Sequence, residues 1–514
     1  MIKIFLKRYK ILLLIIFLSS CKEHTKDVLQ EDVLSGFYNE ALKPFYHGVA
    51  SGDPSQTGVI LWTRITPETP GEYTVKYRIS IDSLHKKIIQ TGEVKTDSLT
   101  DYTVKVSVDN LKPDTYYWYS FQVNENQSVI GRTKTLPSES SRYIKLIGVS
   151  CNAFEGGYFT AYNYIAEQKD TIDAVVHLGD YIYESYLPKY INKEDRIPLP
   201  KKELLSLQDY RTRYAQYRLD PNLRLAHQMH PFINIWDDHE IANDAYVDGA
   251  QGHNSSEGSY TDRKHHAKKA FYEWLPIREG NTHYRSFNLG NIAKLFMLDG
   301  RLEARTKQEK PSDSTYNAYD RKFLGDQQQN WLIDGLVNNK SAWSIIGNPV
   351  LFSKFDFSPV ISNINEKEND SWSGYPYERS AFLSKLSQQS IENVIFYSGD
   401  SHSSWVIEVS QSDNKNDASL GYEFGVPSIS SENWDSSNPK DTVIQWENRL
   451  KVLPDNQHIK YVNLRDHGYT LLTLTKEKAS CTWFFIDKDH PDAKRVEGAT
   501  FYIDKSDNTL NGKD

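Results

Sequence analysis

Six apolar runs in this sequence end abruptly at clusters of side chains that bind metals or phosphate. Apolar runs of this length are typical of buried strands, and ligands of an open α/β sheet bind just beyond the carboxyl ends of its strands. We therefore expect the clusters to share one rim of a sheet and to form a metal-dependent site. They are Ser150-Cys151-Asn152, Gly179-Asp180-Tyr181-Ile182-Tyr183, Trp236-Asp237-Asp238-His239-Glu240, Leu298-Asp299-Gly300-Arg301, Gly347-Asn348-Pro349 and Gly399-Asp400-Ser401-His402.

Residues 1–21 have the pattern of a secretory signal: a basic start, then an apolar stretch from Ile11 to Leu18 that is too short to span a membrane. Leu18-Ser19-Ser20-Cys21 resembles a bacterial lipobox, which implies lipidation of Cys21. An ordinary signal peptide cut nearby is the alternative. We expect residues 22–44 to be a tether and the protein to be exported and lipid-anchored in the cell envelope, at the bacterial outer membrane or in the periplasm.

Composition excludes several classes of protein. The 514 residues are enough for two domains or one large one, and the net charge of -8 argues against a general nucleic-acid-binding surface, which needs an excess of Lys and Arg. Apart from Cys21 only Cys151 and Cys481 remain, too few for a disulfide-built scaffold, although the two could pair with each other.

Residues 45–136 show short alternating stretches separated by turn residues, which predicts an antiparallel β-sandwich. The segment from Leu111 to Tyr117 resembles the tyrosine corner of fibronectin type III domains. Structural support is the expected role of this domain, with carbohydrate binding or adhesion as the alternative. Thr135 to Ser141 is the predicted linker.

Residues 142–505 form the predicted second domain, in which strand-like and helix-like runs alternate. This order predicts an α+β fold with a central β-sheet sandwich flanked by α-helices. The run from Gly468 to Ile486, with a further strand around Phe501, predicts added antiparallel strands that close a second sheet. The predicted helices are 158–168, 204–217, 262–274, 327–337 and 379–389, and the predicted strands are 143–149, 172–178, 232–236, 293–298, 344–346 and 394–397.

Asp180 and Tyr183 combine a carboxylate that can bridge two cations with a phenolate that favours a hard trivalent ion such as Fe(III). Their spacing resembles the Gly-Asp-x-x-Tyr element of purple acid phosphatases, although Tyr183 could be a core aromatic residue. Cys151 precedes Asn152 at a strand break, where a nearby cation would stabilise its thiolate, so we interpret it as a ligand rather than a buried thiol. Cys481 lies within a strand and is assigned to packing.

The segment from Asp237 to Glu240 concentrates three carboxylates and an imidazole, a cluster that is costly to bury without cations. Asp400 and His402 supply a second carboxylate and imidazole. Candidate neutral oxygen ligands, which suit calcium, are Asn243 and Asn348. Candidates for holding phosphate oxygens are Arg301 and, less favoured, Arg305.

Taken together, these residues resemble the alkaline phosphatase D family of the calcineurin-like metallophosphoesterases, from about Phe45 to Asp487. The motifs that carry the resemblance are the six clusters with Gly48-Val49-Ala50-Ser51-Gly52-Asp53-Pro54, Leu61-Trp62-Thr63-Arg64, and Leu324-Gly325 with Gln328, Trp331 and Leu332.

The resemblance implies a phosphoesterase with iron(III) and one or two calcium ions that hydrolyses phosphomonoesters, phosphodiesters or both. The implied mechanism is attack by metal-activated water or oxide, with Arg301 absorbing charge. Carried over, Cys151 and Tyr183 bind iron, Asp180 bridges the metals, and His239 contacts the phosphate or protonates the leaving oxygen. The remaining implied ligands are Asp238, Asn243, Asp400 and His402.

Two departures from the wider superfamily argue against carrying over zinc or manganese: Cys151 replaces its Asp-x-His, and Asp237-Asp238-His239-Glu240 replaces its Gly-Asn-His-Glu. We expect a monomeric enzyme. The alternatives are a phospholipase D-like diesterase and a non-catalytic binding protein of the envelope. The retained ligands argue against the second alternative.

Overall fold

The structure is a computed structural model that describes residues 33–513 except 140, 169–171, 192, 359, 361–368 and 413–416. The predicted signal peptide, Cys21 and the first part of the tether lie outside the described residues. In the part of the chain that is described, no helix is both long and apolar enough to cross a bilayer.

The described residues form strands and helices as follows. The strands are β1 (Val49–Gly52), β2 (Val59–Arg64), β3 (Tyr73–Ser80), β4 (Ile88–Thr96), β5 (Thr103–Val108), β6 (Tyr116–Val123), β7 (Asn126–Gln127), β8 (Gly131–Lys134), β9 (Ile144–Val149), β10 (Ala174–His177), β11 (Pro231–Asn234), β12 (Arg285–Leu289), β13 (Ala293–Met297), β14 (Trp343–Asn348), β15 (Val394–Ser398), β16 (Ser404–Ser410), β17 (Ser419–Gly425), β18 (Ile459–Asn463), β19 (Gly468–Leu474), β20 (Lys478–Phe485), β21 (Val496–Asp504) and β22 (Thr509–Lys513). The α-helices are α1 (Thr160–Glu167), α2 (Leu207–Leu219), α3 (Pro221–Met229), α4 (Tyr260–Trp274), α5 (Gly325–Val337), α6 (Pro376–Gln388) and α7 (Lys440–Val452).

Two large sheets pack face to face. The first has ten strands in the order β22-β21-β20-β19-β9-β10-β11-β1-β2-β5, and the second has seven in the order β12-β13-β14-β15-β17-β16-β18. Their inner faces share one apolar cluster, in which Leu146 and Val176 of the first sheet pack with Leu295 and Ile345 of the second. Buried residues of α1 to α4 cover the outer face of the first sheet, and α5 and α6 cover that of the second. The predicted sandwich flanked by helices is therefore confirmed.

The late antiparallel strands do not close the second sheet, so that prediction is wrong. β19 pairs antiparallel with β9, and β20 to β22 extend the ten-stranded sheet outward from it. Their alternation buries one face against the inter-sheet cluster through Leu472, Cys481 and Trp483. Cys481 thus packs in the core, as predicted. Cys481 and Cys151 are both free thiols in the structure, so they are not paired.

The strands of residues 45–136 are shared between two sheets. β3, β4, β6, β7 and β8 form a five-stranded antiparallel sheet, whereas β1, β2 and β5 continue the ten-stranded sheet. The junction is a parallel pairing of β1 with β11, in which Ser51 lies opposite Pro231. The tyrosine corner is confirmed, because the phenolic oxygen of Tyr117 accepts a hydrogen bond from the Lys112 amide at 2.8 Å.

Candidate metal centre

The six polar clusters meet between two sheets rather than along the rim of one. Three of them follow the parallel strands β9, β10 and β11 of the ten-stranded sheet, and three follow β13, β14 and β15 of the seven-stranded sheet. The apolar runs alone could not separate these two sheets, because both consist of buried parallel strands. The packing of the two sheets brings the carboxyl ends of their strands to a common pocket.

Sharp turns aim the first ligand candidates into this pocket. Cys151, Asp180, Asp400 and His402 all have left-handed backbone conformations, with φ of 59°, 56°, 65° and 53°. Non-glycine residues rarely adopt this conformation, and such strain concentrates where the surrounding structure imposes it for function. Gly179 is also left-handed, and a Cβ there would lie 2.5 Å from that of Asp237. Its lack of a side chain lets the turn after β10 approach the turn after β11.

A sulfur, a carboxylate, a phenol and an imidazole converge at the buried end of the pocket. Asp180 Oδ2 lies 3.4 Å from Cys151 Sγ and 3.2 Å from the Tyr183 hydroxyl. His402 Nε2 lies 3.2 Å from the same hydroxyl, and its Nδ1 lies 2.5 Å from the Glu432 carbonyl oxygen. A ligand atom from each of Cys151, Asp180 and His402 lies within 4.8 Å of the others, close enough to share one ion.

Ser431 is a residue of this end that the sequence pattern did not single out. Its hydroxyl lies 2.7 Å from the Tyr183 hydroxyl and 2.8 Å from the Cys151 carbonyl oxygen, and it accepts a hydrogen bond from the Ala153 amide at 3.1 Å. It thereby fixes the phenol relative to the turn that carries the thiol. A serine in the polar stretch after β17 gives no sequence signal for such a role.

The carboxylates form three further groups, in each of which one ligand atom per residue lies within 4.8 Å of the others. Several of their buried oxygens have no hydrogen-bond partner in the described structure, namely Asp180 Oδ1, Asp237 Oδ2 and Asp238 Oδ1. Buried carboxylate oxygens are normally paired, so these atoms are in the state expected of cation ligands. The groups are Asp180 with Asp238 and His239, Asp180 with Asp237 and Asp400, and Asp238 with Asp244 and Asp370.

Burial raises the pKa of most acids in the pocket. It raises the pKa of Asp180 well above its usual value, that of Asp237 to about 8, and those of Asp244 and Asp400 to about 7. The pKa values of the Cys151 thiol and the Tyr183 phenol are likewise raised well above normal by burial, with the charge of Asp180 adding to the effect. So many acids cannot all ionise side by side without multivalent cations.

Arg301 lies inside this acidic group. It is fully buried, and its guanidinium pairs with Asp237 at 2.6 Å, Asp370 at 2.6 Å and Asp238 at 3.6 Å. Burial would raise the pKa of Asp238, but the charges of Arg301 and His239 hold that pKa below its usual value. Arg305 also pairs with Asp370, at 2.5 Å, and stacks on the rings of Phe323 and Tyr375. Both arginines, predicted as phosphate ligands, are thus engaged by carboxylates in this structure.

His239 lies at the accessible side of the pocket. Its Nδ1 is 2.7 Å from Glu184 Oε2, its ring stacks 4.2 Å from that of Tyr183, and its side chain is 18% exposed. Burial alone would lower the pKa of His239, but Asp238, Glu184 and Asp180 raise it well above normal. The second Glu184 oxygen accepts a hydrogen bond from the backbone N–H of Asn243 at 2.7 Å. Glu184 therefore anchors the imidazole to the following turn.

Glu240 ties the two metal-bearing turns together. Its carboxylate accepts hydrogen bonds from the amides of Asp180, Tyr181 and Asp237, at 3.1, 2.5 and 2.8 Å. Glu240, the third acid of the Asp-Asp-His-Glu segment, therefore holds the backbone of these turns rather than a metal ion.

The two candidate asparagine ligands, Asn243 and Asn348, are hydrogen-bonded to neighbouring side chains. Asn243 is partly exposed, and its side-chain nitrogen donates to Gln251 at 2.9 Å, whereas its neighbour Asp244 belongs to one of the four acidic groups. Asn348 is buried, and its side-chain oxygen accepts a hydrogen bond from the Trp372 indole N–H at 3.2 Å. Sequence reasoning missed Asp244 and Asp370 as possible ligands. Asp244 adjoins a residue that was singled out, whereas Asp370 follows no apolar run and carries no local signal.

Comparisons with known proteins agree with this geometry. The family model for the PhoD-like phosphatase matches residues 146–483, and that for the N-terminal domain of PhoD-like phosphatases matches residues 33–137. Alkaline phosphatase D of Bacillus subtilis (strain 168) is 33% identical over 455 residues, which cover 84% of this chain and 76% of that protein. The solved structure of PhoD is 30% identical, with a TM-score of 0.82 over 93% of each chain.

Proposed function

This chain belongs to the PhoD-like phosphatase family and is a metal-dependent phosphoric ester hydrolase, and we propose that it works with one iron(III) ion and one or two calcium ions. The observation that carries the metal proposal is the convergence of Cys151, Asp180, Tyr183 and His402 from two sheets onto one buried point. A thiolate and a phenolate beside a carboxylate and an imidazole suit iron(III).

The side chains that line the pocket are suited to binding such ions. Buried acids with unpartnered oxygens and raised pKa values would be stabilised as anions by cations between them. The candidate ligand atoms of the second region, where Asp238, Asp244 and Asp370 converge beside Arg301 and Arg305, are all oxygens, and all-oxygen sites favour calcium. We assign Asp180 to the bridge between the ions, because it belongs to three of the four groups. Asp400 and Asp238 complete the shells.

The ions would supply Lewis acidity, which generates a nucleophile from water and neutralises charge on the phosphoryl oxygens. The chain itself supplies proton transfer and orientation. His239, held by Glu184 at the accessible side of the pocket, is placed to donate a proton from Nε2 to the leaving oxygen. The buried Arg301 balances the charge of Asp237 and Asp238, so we assign it first to holding these carboxylates. Arg301 can contact phosphate directly only if Asp370 releases the guanidinium.

The substrates proposed are phosphomonoesters, phosphodiesters or both. A pocket that presents charge to the phosphoryl group, with no serine nucleophile required, accepts either ester type, and a phospholipase D-like diesterase remains the alternative of the same class. The lipobox-like sequence before Cys21 supports an enzyme anchored by lipid in the cell envelope, and we propose that it acts there as a monomer.

The test uses protein purified without added chelator. We expect iron near one equivalent per chain, calcium in addition, a visible absorption band from the phenolate-to-iron transition, and calcium-dependent hydrolysis of p-nitrophenyl phosphate and bis-p-nitrophenyl phosphate. Active protein that contains zinc or manganese and is colourless would overturn the iron assignment while leaving the hydrolase assignment intact. Initial rates on a monoester, a diester and a phospholipid would rank the substrate classes.

A further inference from the structure

Arg218, near the end of α2, is a fully buried cation without a counterion in the described structure. Its guanidinium Nε and Nη1 have no hydrogen-bond partner, and Nη2 makes a single long hydrogen bond of 3.4 Å to the His47 carbonyl oxygen. The indole of Trp62 lies 4.8 Å from Cζ and stabilises one face of the cation. Arginine stays protonated in proteins, and an unpaired buried charge is strongly unfavourable.

The side chains around Arg218 add donors and positive charge. His47 is fully buried with neither ring nitrogen hydrogen-bonded, and its ring lies 5.1 Å from that of Trp274, whose indole nitrogen is also without a partner in the described residues. Arg224 donates to the carbonyl oxygens of Tyr46 and Leu219, at 3.4 and 3.2 Å, and makes no ion pair among the described residues. A second cation thus borders His47.

Nearby acids do not supply the missing negative charge. Asp220, two residues after Arg218, pairs with Arg196 at 2.7 Å and caps α3 through the amides of Asn222 and Leu223. The phenol of Tyr181, which also lies beside Arg218, is hydrogen-bonded to His227 at 2.9 Å. The region therefore contains several free N–H groups and an excess of positive charge, and the acceptors beside Arg218 are the neutral hydroxyls of Tyr181 and Tyr119, which carry no balancing charge.

We propose that Arg218 and His47 bind a small monovalent anion, chloride in a cell, buried between the β1–β2 hairpin and helices α2 to α4. The free Nη1–H of Arg218 donates to the ion together with the imidazole N–H of His47, whereas Nε–H points to another side of the guanidinium and does not share the ion. A monovalent ion loses less hydration energy on burial than sulfate or phosphate, which favours chloride at a site closed to solvent. The site is separate from the metal ligands and does not depend on the proposed metals.

Bromide tests the site directly in the wild-type protein. We expect crystals of the metal-loaded protein soaked in sodium bromide to show an anomalous peak within hydrogen-bonding distance of Arg218 Nη1 and a ring nitrogen of His47. A peak there establishes the site. Ordered water without an anomalous peak at that position overturns it, because water alone would then satisfy the donors.

Stability measurements give a second readout in solution. We expect the Tm of the metal-loaded protein to be higher in sodium chloride than in sodium gluconate of equal ionic strength, by roughly 2 °C or more, with saturation as chloride increases. Arg218→Met should abolish this difference. Arg211→Gln is the matched control, because Arg211 is buried but pairs through two hydrogen bonds with Glu273. Equal chloride responses in wild type and Arg218→Met would contradict the proposal.

Discussion

Tyr183 Oη lies 3.2 Å from His402 Nε2, although the two residues follow strands of different sheets. Tyr183 comes after β10 of the ten-stranded sheet, and His402 comes after β15 of the seven-stranded sheet. The contact shows that the candidate metal centre exists only where the two sheets pack together. Loss of packing between the sheets would therefore separate the ligands.

Replacing Tyr183 by Phe should remove the visible absorption band and reduce kcat by at least about a hundredfold, because the phenolate is the proposed source of the colour and a ligand of iron. Absorption spectra and iron content measure the effect. Tyr181→Phe is a suitable control, since Tyr181 is buried nearby but hydrogen-bonds to His227. Full colour in Tyr183→Phe would refute the ligand role.

Glu184→Gln should reduce hydrolysis of esters with poor leaving groups far more than that of p-nitrophenyl esters. The reason is that Glu184 positions His239, and proton donation matters most when the leaving alkoxide is basic. We expect a loss of about 10²-fold or more on an alkyl phosphate and a much smaller loss on p-nitrophenyl phosphate. Equal losses on both substrates would indicate a purely structural role for Glu184.

The two neighbouring residues Asn243 and Asp244 offer a matched pair of variants. Asp244→Asn should weaken calcium activation by about tenfold or more, because Asp244 converges with Asp238 and Asp370. Asn243→Ala should leave calcium activation within about threefold, because the side chain of Asn243 is partly exposed and its nitrogen is engaged with Gln251. Titration of activity with calcium separates the two, and the reverse order would restore Asn243 as the ligand.

Removing the metals should make stability fall as pH rises. Burial raises the folded-state pKa of Asp237 to about 8 and those of Asp244 and Asp400 to about 7, so the metal-free folded state holds protons that the unfolded chain releases near pH 4. Its stability is therefore greatest below pH 4 as far as these groups are concerned, and is lost between about pH 4 and 8.

Thermal unfolding of chelated protein should show this as a fall in Tm of roughly 5 °C or more between pH 5 and 8.5. The metal-loaded protein should show little change over the same interval, because cations stabilise the ionised carboxylates. Parallel curves for the two forms would show that the acids are not linked to metal binding.

Arg301→Met should destabilise the protein by about 3–5 kcal/mol, since it leaves Asp237 and Asp238 buried without their cation. Denaturant unfolding measures the effect. The double variant Arg301→Met with Asp237→Asn should recover part of the loss, whereas a role limited to substrate binding predicts an unchanged free energy of unfolding for Arg301→Met.

The sequence predicted which residues meet in the pocket better than it predicted the architecture around them. Cys151, Asp180, Asp238 and His402 were found because each directly follows an apolar strand, and strand ends position ligands in this class of fold. Asp370 was missed because it follows no apolar run. The division of the strands between two sheets was also missed, because buried parallel strands of either sheet have the same apolar pattern.

The secondary structure was also predicted only in part. Helices α1, α2, α4, α5 and α6 were predicted within three residues at each end, whereas α3 and α7 were missed. α3 is short and follows α2 after a single residue, Asp220, and α7 buries few of its side chains. The late strands were recognised but assigned to the wrong sheet, because pairing partners depend on tertiary packing rather than on local alternation.

The parallel pairing of β1 with β11 joins the first hundred residues to the catalytic strands through backbone hydrogen bonds. A shortened protein that begins after the linker would therefore expose a bare sheet edge at β11, next to the turn that holds Asp237 and Asp238. Such an edge attracts other strands and promotes aggregation. The amino-terminal region thus covers this edge of the hydrolase domain and cannot be removed without exposing it.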